Sequence, residues 1–234
     1  MDWWKQIWPF GKQQLPNTPL WNAYQEALQE QPQRSSLIRD VRFVVVDTET
    51  TGLRPDKDQI LSIGAVAVQN QQIWVADRFE AFMPQEAVAP SEGREAVAVH
   101  GILGKHANKE QASTEILSQL LAYLGGSVFV AHHAAFDYQI LQAAFRRHLN
   151  GHISNFVLDT VTLARRLDDP SRSKVMGPRD AKQYGLDPLC QRFHIPVEAR
   201  HTASGDALLT AILLVKLLAR LEARGIKTWG QLWR

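Results

Sequence analysis

Apolar positions in this chain come either in short continuous runs or in longer stretches with helical spacing. The clearest run is Val41–Gly52, VRFVVVDTETTG, where Val41 and Phe43–Val46 predict a strand covered on both faces. Gln59–Val68 and Gln72–Phe82, separated by the polar tip Gln69–Gln71, predict an antiparallel hairpin beside it. Ser113–Leu124 carries Ile116, Leu117, Leu120, Leu121 and Leu124 on one helical face, with Ser113 as cap and Gly125 as stop. Val128–Ala131 and Phe156–Asp159 predict two further short strands, followed by helices over Asp137–Leu149 and Thr160–Leu167. Leu186–Phe193 and Ala207–Leu221 predict later helices, Asn22–Glu30 an early one, and Val97–Ile102 a short helix end or turn. Arg54–Gln59 and Asp168–Lys182 are polar and predict loops. The alternation of strands and helices predicts an α/β fold: a mixed sheet with an antiparallel hairpin edge and helices on both faces.

Composition changes this picture at the ends. At 234 residues, 45% of them hydrophobic, the chain is long enough for one domain with a sizeable core. Residues 1–39 differ from the rest, holding Trp3, Trp4, Trp8 and Trp21 of the seven tryptophans together with many glutamines and prolines. The expected division is therefore an extension over 1–39, a domain over 40–222 and a short tail over 223–234. Trp3, Trp4, Ile7 and Trp8 could share one helical face before Pro9. Such a face would either touch lipid headgroups or a protein partner through residues 1–12, or fold back and be buried. With 26 Lys+Arg against 24 Asp+Glu, net charge neither demands nor excludes nucleic acid. The single cysteine, Cys190, excludes an intrachain disulfide framework and a Cys-rich zinc site, and its context predicts a buried helix face. No apolar run approaches the roughly 18 residues of a membrane span, and no secretory signal is visible. The expected location is cytoplasmic, with peripheral membrane association as the alternative.

Candidate chemistry lies where apolar segments end. Asp47 and Glu49 close the first strand, and residues two apart on a strand point to one side, so both carboxylates can converge. Asp137 and Asp159 follow the second and third short strands, and Asp206 opens a long apolar helix with His201 five residues ahead. Carboxylates gathered at one sheet edge repel unless cations sit among them. An all-oxygen donor set suits Mg²⁺ or Mn²⁺.

Three stretches carry a specific resemblance: Asp47-Thr48-Glu49-Thr50-Thr51-Gly52, His132-His133-Ala134-Ala135-Phe136-Asp137, and His201-Thr202-Ala203-Ser204-Gly205-Asp206. In that order they resemble the DEDDh, or DnaQ-like, 3′–5′ exonuclease superfamily, which includes the epsilon subunit of DNA polymerase III and RNase T. The resemblance covers about residues 40–222 and implies a ribonuclease H-like mixed sheet. It also implies catalysis by two Mg²⁺ or Mn²⁺ ions about 4 Å apart. Asp47 would bridge both ions, Glu49 and Asp206 would complete the first site, and Asp137 would hold the second. His201 would take the proton of the attacking water, and single-stranded 3′ ends would lose nucleoside 5′-monophosphates. Thr50, Gly52, Leu53, His100 and Phe136 would bind the terminal nucleotide, with Leu53 wedged against its base and Phe136 able to stack. Asp159 would fix a local turn or helix start.

One departure stands out: the second motif commonly reads His-Asn-Ala, and here His133 replaces the asparagine. Epsilon-like sequences favour DNA as substrate. The alternatives are RNase T-like trimming of RNA, and a catalytically silent nucleic-acid-binding module, which would be expected to have lost an acid or the histidine. The short C-terminal tail argues against polymerase docking through a long C-terminal segment.

Overall fold

Val44, Val45 and Val46 are fully buried in alternate directions, which requires protein on both sides of the strand that carries them. The computed structural model describes residues 14–84, 112–169, 182–197 and 200–233. That strand, β1 (Phe43–Thr50), is central in a five-stranded sheet. It pairs antiparallel with β2 (Ile60–Gln69), which pairs antiparallel with β3 (Gln72–Phe82). On its other side β1 runs parallel to β4 (Val128–Ala131), which runs parallel to β5 (Val157–Asp159). The order β3-β2-β1-β4-β5 is the mixed sheet with a hairpin edge that the residue pattern predicts.

Side-chain alternation divides the core in two. Val44, Val46, Ile63 and Phe129 face helices α1 (Pro19–Ala27), α2 (Ser113–Leu124) and α3 (Ala135–Leu149). Phe43, Val45, Val66 and Val130 face α4 (Thr160–Asp168), α5 (Leu186–Arg192), α6 (Ala203–Ala223) and α7 (Trp229–Leu232). Cys190 is fully buried on α5, as its context predicts. Among the described residues, no helix is long and apolar enough to cross a membrane.

Several boundaries differ from the expected ones for local reasons. Helix α1 starts at Pro19 rather than Asn22, because Thr18 accepts from the Trp21 amide and Pro19 suits the first helical position. Ser113 is not the cap of α2; Ala112 holds that position without a side-chain bond, and Gly125 ends the helix as expected. Helix α3 begins at Ala135, two residues early. Helix α6 begins at Ala203 rather than Ala207, its end capped by the Thr202 hydroxyl accepting from Gly205 N, which puts Asp206 in its first turn. Residues 1–13, Val97–Ile102 and most of the Asp168–Lys182 loop lie outside the described residues.

Both ends of the described chain are packed in. Trp21 and Tyr24 of α1 are buried; the Trp21 indole donates to Leu149 O at 3.0 Å and the Tyr24 hydroxyl to Asn155 at 2.6 Å. Near the other end, Trp229 N donates to Ser36 O at 2.8 Å, and Ile38 N to Lys227 O at 3.0 Å.

Candidate active site at the carboxyl end of β1

Asp47 and Glu49 continue the odd-numbered face of β1 that carries Phe43 and Val45, so both point towards the side covered by α6. Helix α6 approaches because of Gly64. This residue pairs with Asp47 across β1 and β2. A Cβ at position 64 would lie 2.3–2.4 Å from backbone atoms of Ala203 and Ser204. Without that side chain, the first turn of α6 rests on the strand and delivers Asp206 to the two acids. One carboxylate oxygen from each of Asp47, Glu49 and Asp206 then lies within 4.8 Å of the others. The β1–β2 register shifts between Glu49 and Thr50, ending regular pairing beside the cluster.

The electrostatics follow from this crowding. Glu49 and Asp206 are buried and Asp47 is half-buried. Burial first, and then the neighbouring carboxylates Asp137, Asp206 and Glu49, push Asp47 well above the usual carboxylate range. Burial, reinforced by Asp206, raises Glu49 from 4.5 to about 7. Among the described residues an opposing charge comes from the Arg200 guanidinium, which is ion-paired through Nη1 with Asp206 and through Nε with Asp187 at 2.6 Å. Among the described residues the tightly gathered donor set is carboxylate oxygen, so its chemistry fits a hard divalent cation such as Mg²⁺ or Mn²⁺.

Asp137 reaches the same strand end from the opposite layer. It lies in the first turn of α3, is buried, and its Oδ1 accepts from Thr48 N at 2.9 Å and Thr48 Oγ1 at 2.8 Å. Burial raises its pKa, against the lowering by those two bonds. It stands outside the three-carboxylate group, yet its charge is felt by Asp47. Asp159 caps α4 by accepting from Val161 N at 2.9 Å, and also accepts from His133 N at 3.2 Å. His133 itself is left-handed, with φ 60°, and its ring packs edge-on against His132. Burial pushes the His132 imidazole down to about 3, and its Nδ1 is 2.8 Å from Thr160 Oγ1.

The other expected residues are distributed around this group. His201 is exposed and left-handed, with φ 64°, in the turn leading into α6. The buried Thr50 hydroxyl donates to Gly52 O at 2.7 Å. At Gly52 a Cβ would come within 2.7 Å of the Asp58 carboxylate, which Arg54 N and Thr51 Oγ1 hold at 2.7 and 3.1 Å. Leu53 follows with 82% of its surface exposed. Phe136, in the first turn of α3, is half-buried against the core, and His100 lies outside the described residues. Sequence reasoning missed Arg200, Gly64, Thr48 and Asp58. Arg200 adjoins His201 in sequence, but its partners are set by the meeting of α5 and α6, which no local pattern encodes.

Comparison with known proteins adds independent findings. The family described as "Exonuclease" (RNase T) matches residues 44–214. A "DNA polymerase III PolC-type" protein of Caldanaerobacter subterraneus subsp. tengcongensis is 33% identical over 190 residues, covering 81% of this chain and 12% of the relative. A "DNA polymerase III subunit epsilon-like protein" of Rhodobacter capsulatus is 37% identical over 193 residues, covering 80% and 25%. The chain thus spans between an eighth and a quarter of these relatives' lengths. Among solved structures, E. coli exonuclease I in a zinc-bound complex with single-stranded DNA aligns with TM-score 0.62 and 18% identity, covering 79% of this chain and 42% of that one. Cell-death related nuclease 4 aligns with TM-score 0.60 and 14% identity, covering 78% and 65%. These likenesses establish a shared ribonuclease H-like fold.

Proposed function

The chain belongs to the RNase T exonuclease family, and from that membership we propose that it is a divalent-metal-dependent 3′–5′ exonuclease. Its substrate on this reading is a single-stranded 3′ end, DNA in preference to RNA, and its product a nucleoside 5′-monophosphate. The observation that carries the proposal is the convergence of Asp47, Glu49 and Asp206 within 4.8 Å, with Asp137 anchored beside them.

Asp47, Glu49 and Asp206 would hold one cation, and Asp137 would share a second with Asp47. Bound there, Mg²⁺ or Mn²⁺ supplies Lewis-acid charge that offsets the carboxylates and polarises the scissile phosphate. The remaining work falls to the chain. His201, exposed ahead of α6, accepts a proton from the water whose oxygen attacks phosphorus. The bond from phosphorus to the 3′ oxygen of the preceding nucleotide breaks, and the phosphate leaves on the 5′ oxygen of the released nucleoside. Leu53 offers an exposed apolar surface to the terminal base. Thr50 and Gly52 shape the strand-end turn beneath it, and Phe136 lies close to Asp137 in sequence at the same helix start.

The preference for DNA rests on the relatives, two of which are named as DNA polymerase III proteins, and on exonuclease I, solved with single-stranded DNA. Digestion of DNA and RNA oligomers of one sequence, with Mg²⁺ and with Mn²⁺, tests it. Faster release of mononucleotides from DNA is expected; faster release from RNA would replace this reading with RNA trimming.

A further inference from the structure

Arg200 is a cation at the site, among the described residues, that the proposed chemistry does not use. Its Nη1 is paired with Asp206 and its Nε with Asp187, so one guanidinium spans two acids on different helices. The two acids differ in setting: the Asp206 side chain is 11% exposed and that of Asp187 60%. A guanidinium stays charged at any working pH, and its separate N–H groups allow one partner to be released while the other is kept.

Three carboxylates crowded at a buried strand end need positive charge before any metal arrives. Arg200 supplies it. An Asp206 oxygen engaged by a guanidinium is not free to ligate, however, and a divalent ion brought beside that guanidinium is repelled. The two cations therefore compete for one carboxylate. We propose that Arg200 is a resident counter-cation of the acid cluster, displaced from Asp206 when a divalent ion binds and retained nearby by Asp187. The inference rests on the reading of the cluster as a divalent-cation site. It makes Arg200 a positioning residue that holds the empty site together and lowers its affinity for metal.

Calorimetric titration of the full chain with Mn²⁺, after chelation and dialysis, tests the proposal. Arg200→Gln should bind Mn²⁺ tighter than wild type by about tenfold or more. Its melting temperature in chelator should fall. Arg200→Lys, which keeps the charge but cannot bridge both acids, should lie between the two in affinity. On an Asp206→Asn background, Arg200→Gln should change the affinity less than about twofold, because the contested carboxylate is gone. Unchanged or weaker Mn²⁺ binding in both Arg200 variants would overturn the proposal. Absence of Mn²⁺ binding by wild type would overturn it together with the cation-site reading on which it rests.

Discussion

Glu49 is buried beside Asp206, and burial, reinforced by that neighbour and opposed by Arg200, raises its carboxyl from 4.5 to about 7. A carboxyl that holds its proton more tightly in the folded chain adds no penalty below the unfolded value. It destabilises the fold increasingly as pH rises from 4.5 through 7. In chelator, the melting temperature of the wild type should therefore fall between pH 5 and 8 more steeply than that of Glu49→Gln. Saturating Mg²⁺ should remove most of the difference, and equal slopes in chelator would contradict the burial argument. His133 illustrates a second residue-scale constraint. Its φ of 60° is one that asparagine and histidine tolerate far better than β-branched residues. The replacement of the commoner asparagine is thus conformationally mild. By thermal denaturation, His133→Asn should lie within about 1 kcal/mol of wild type, whereas His133→Val should cost roughly 1–3 kcal/mol.

Among the elements, the strand ends were the most legible part of the chain. Apolar runs closing on acids placed Asp47 and Glu49 at the end of β1, and the runs at Val128 and Phe156 marked β4 and β5. The start of α6 was less legible, because Gly205 together with the polar Thr202 and Ser204 reads as a turn. It is the Thr202 cap that extends the helix back to Ala203. The fit of α6 on β2 was not legible at all: Gly64 reads as one small residue in a strand, and only the packed helix reveals why a side chain is excluded there. A methyl group at 64 would force the first turn of α6 away from β2 and carry Asp206 with it. Gly64→Ala should therefore lose roughly 1–3 kcal/mol of stability by denaturant unfolding. It should also weaken Mn²⁺ binding, while keeping native far-ultraviolet circular dichroism. Wild-type stability and Mn²⁺ affinity in that variant would refute the packing argument.

For the whole molecule, the sheet separates two cores and the candidate site spans the boundary between them. Asp47, Glu49 and Asp206 belong to the layer of α6, while Asp137 arrives from the layer of α3 and is tied to β1 through Thr48. We propose that the folded unit includes α1, although composition set residues 1–39 apart as an extension. Trp21 and Tyr24 are core residues of the α3 layer, and Trp21 braces the C-terminal part of α3, the helix whose first turn presents Asp137. Trp21→Ala should lower stability by about 3–5 kcal/mol in denaturant titration; a loss below about 1 kcal/mol would show that α1 is dispensable. The central claim, a metal-dependent exonuclease centred on Asp47, is tested most directly with a single-stranded DNA oligomer labelled at either end and digested in Mg²⁺. With wild type, the 3′ label should appear at once as a nucleoside 5′-monophosphate and the 5′ label as a descending ladder. Both should vanish in chelator and in Asp47→Ala. Release that persists in Asp47→Ala, or mononucleotides that come first from the 5′ end, would contradict it.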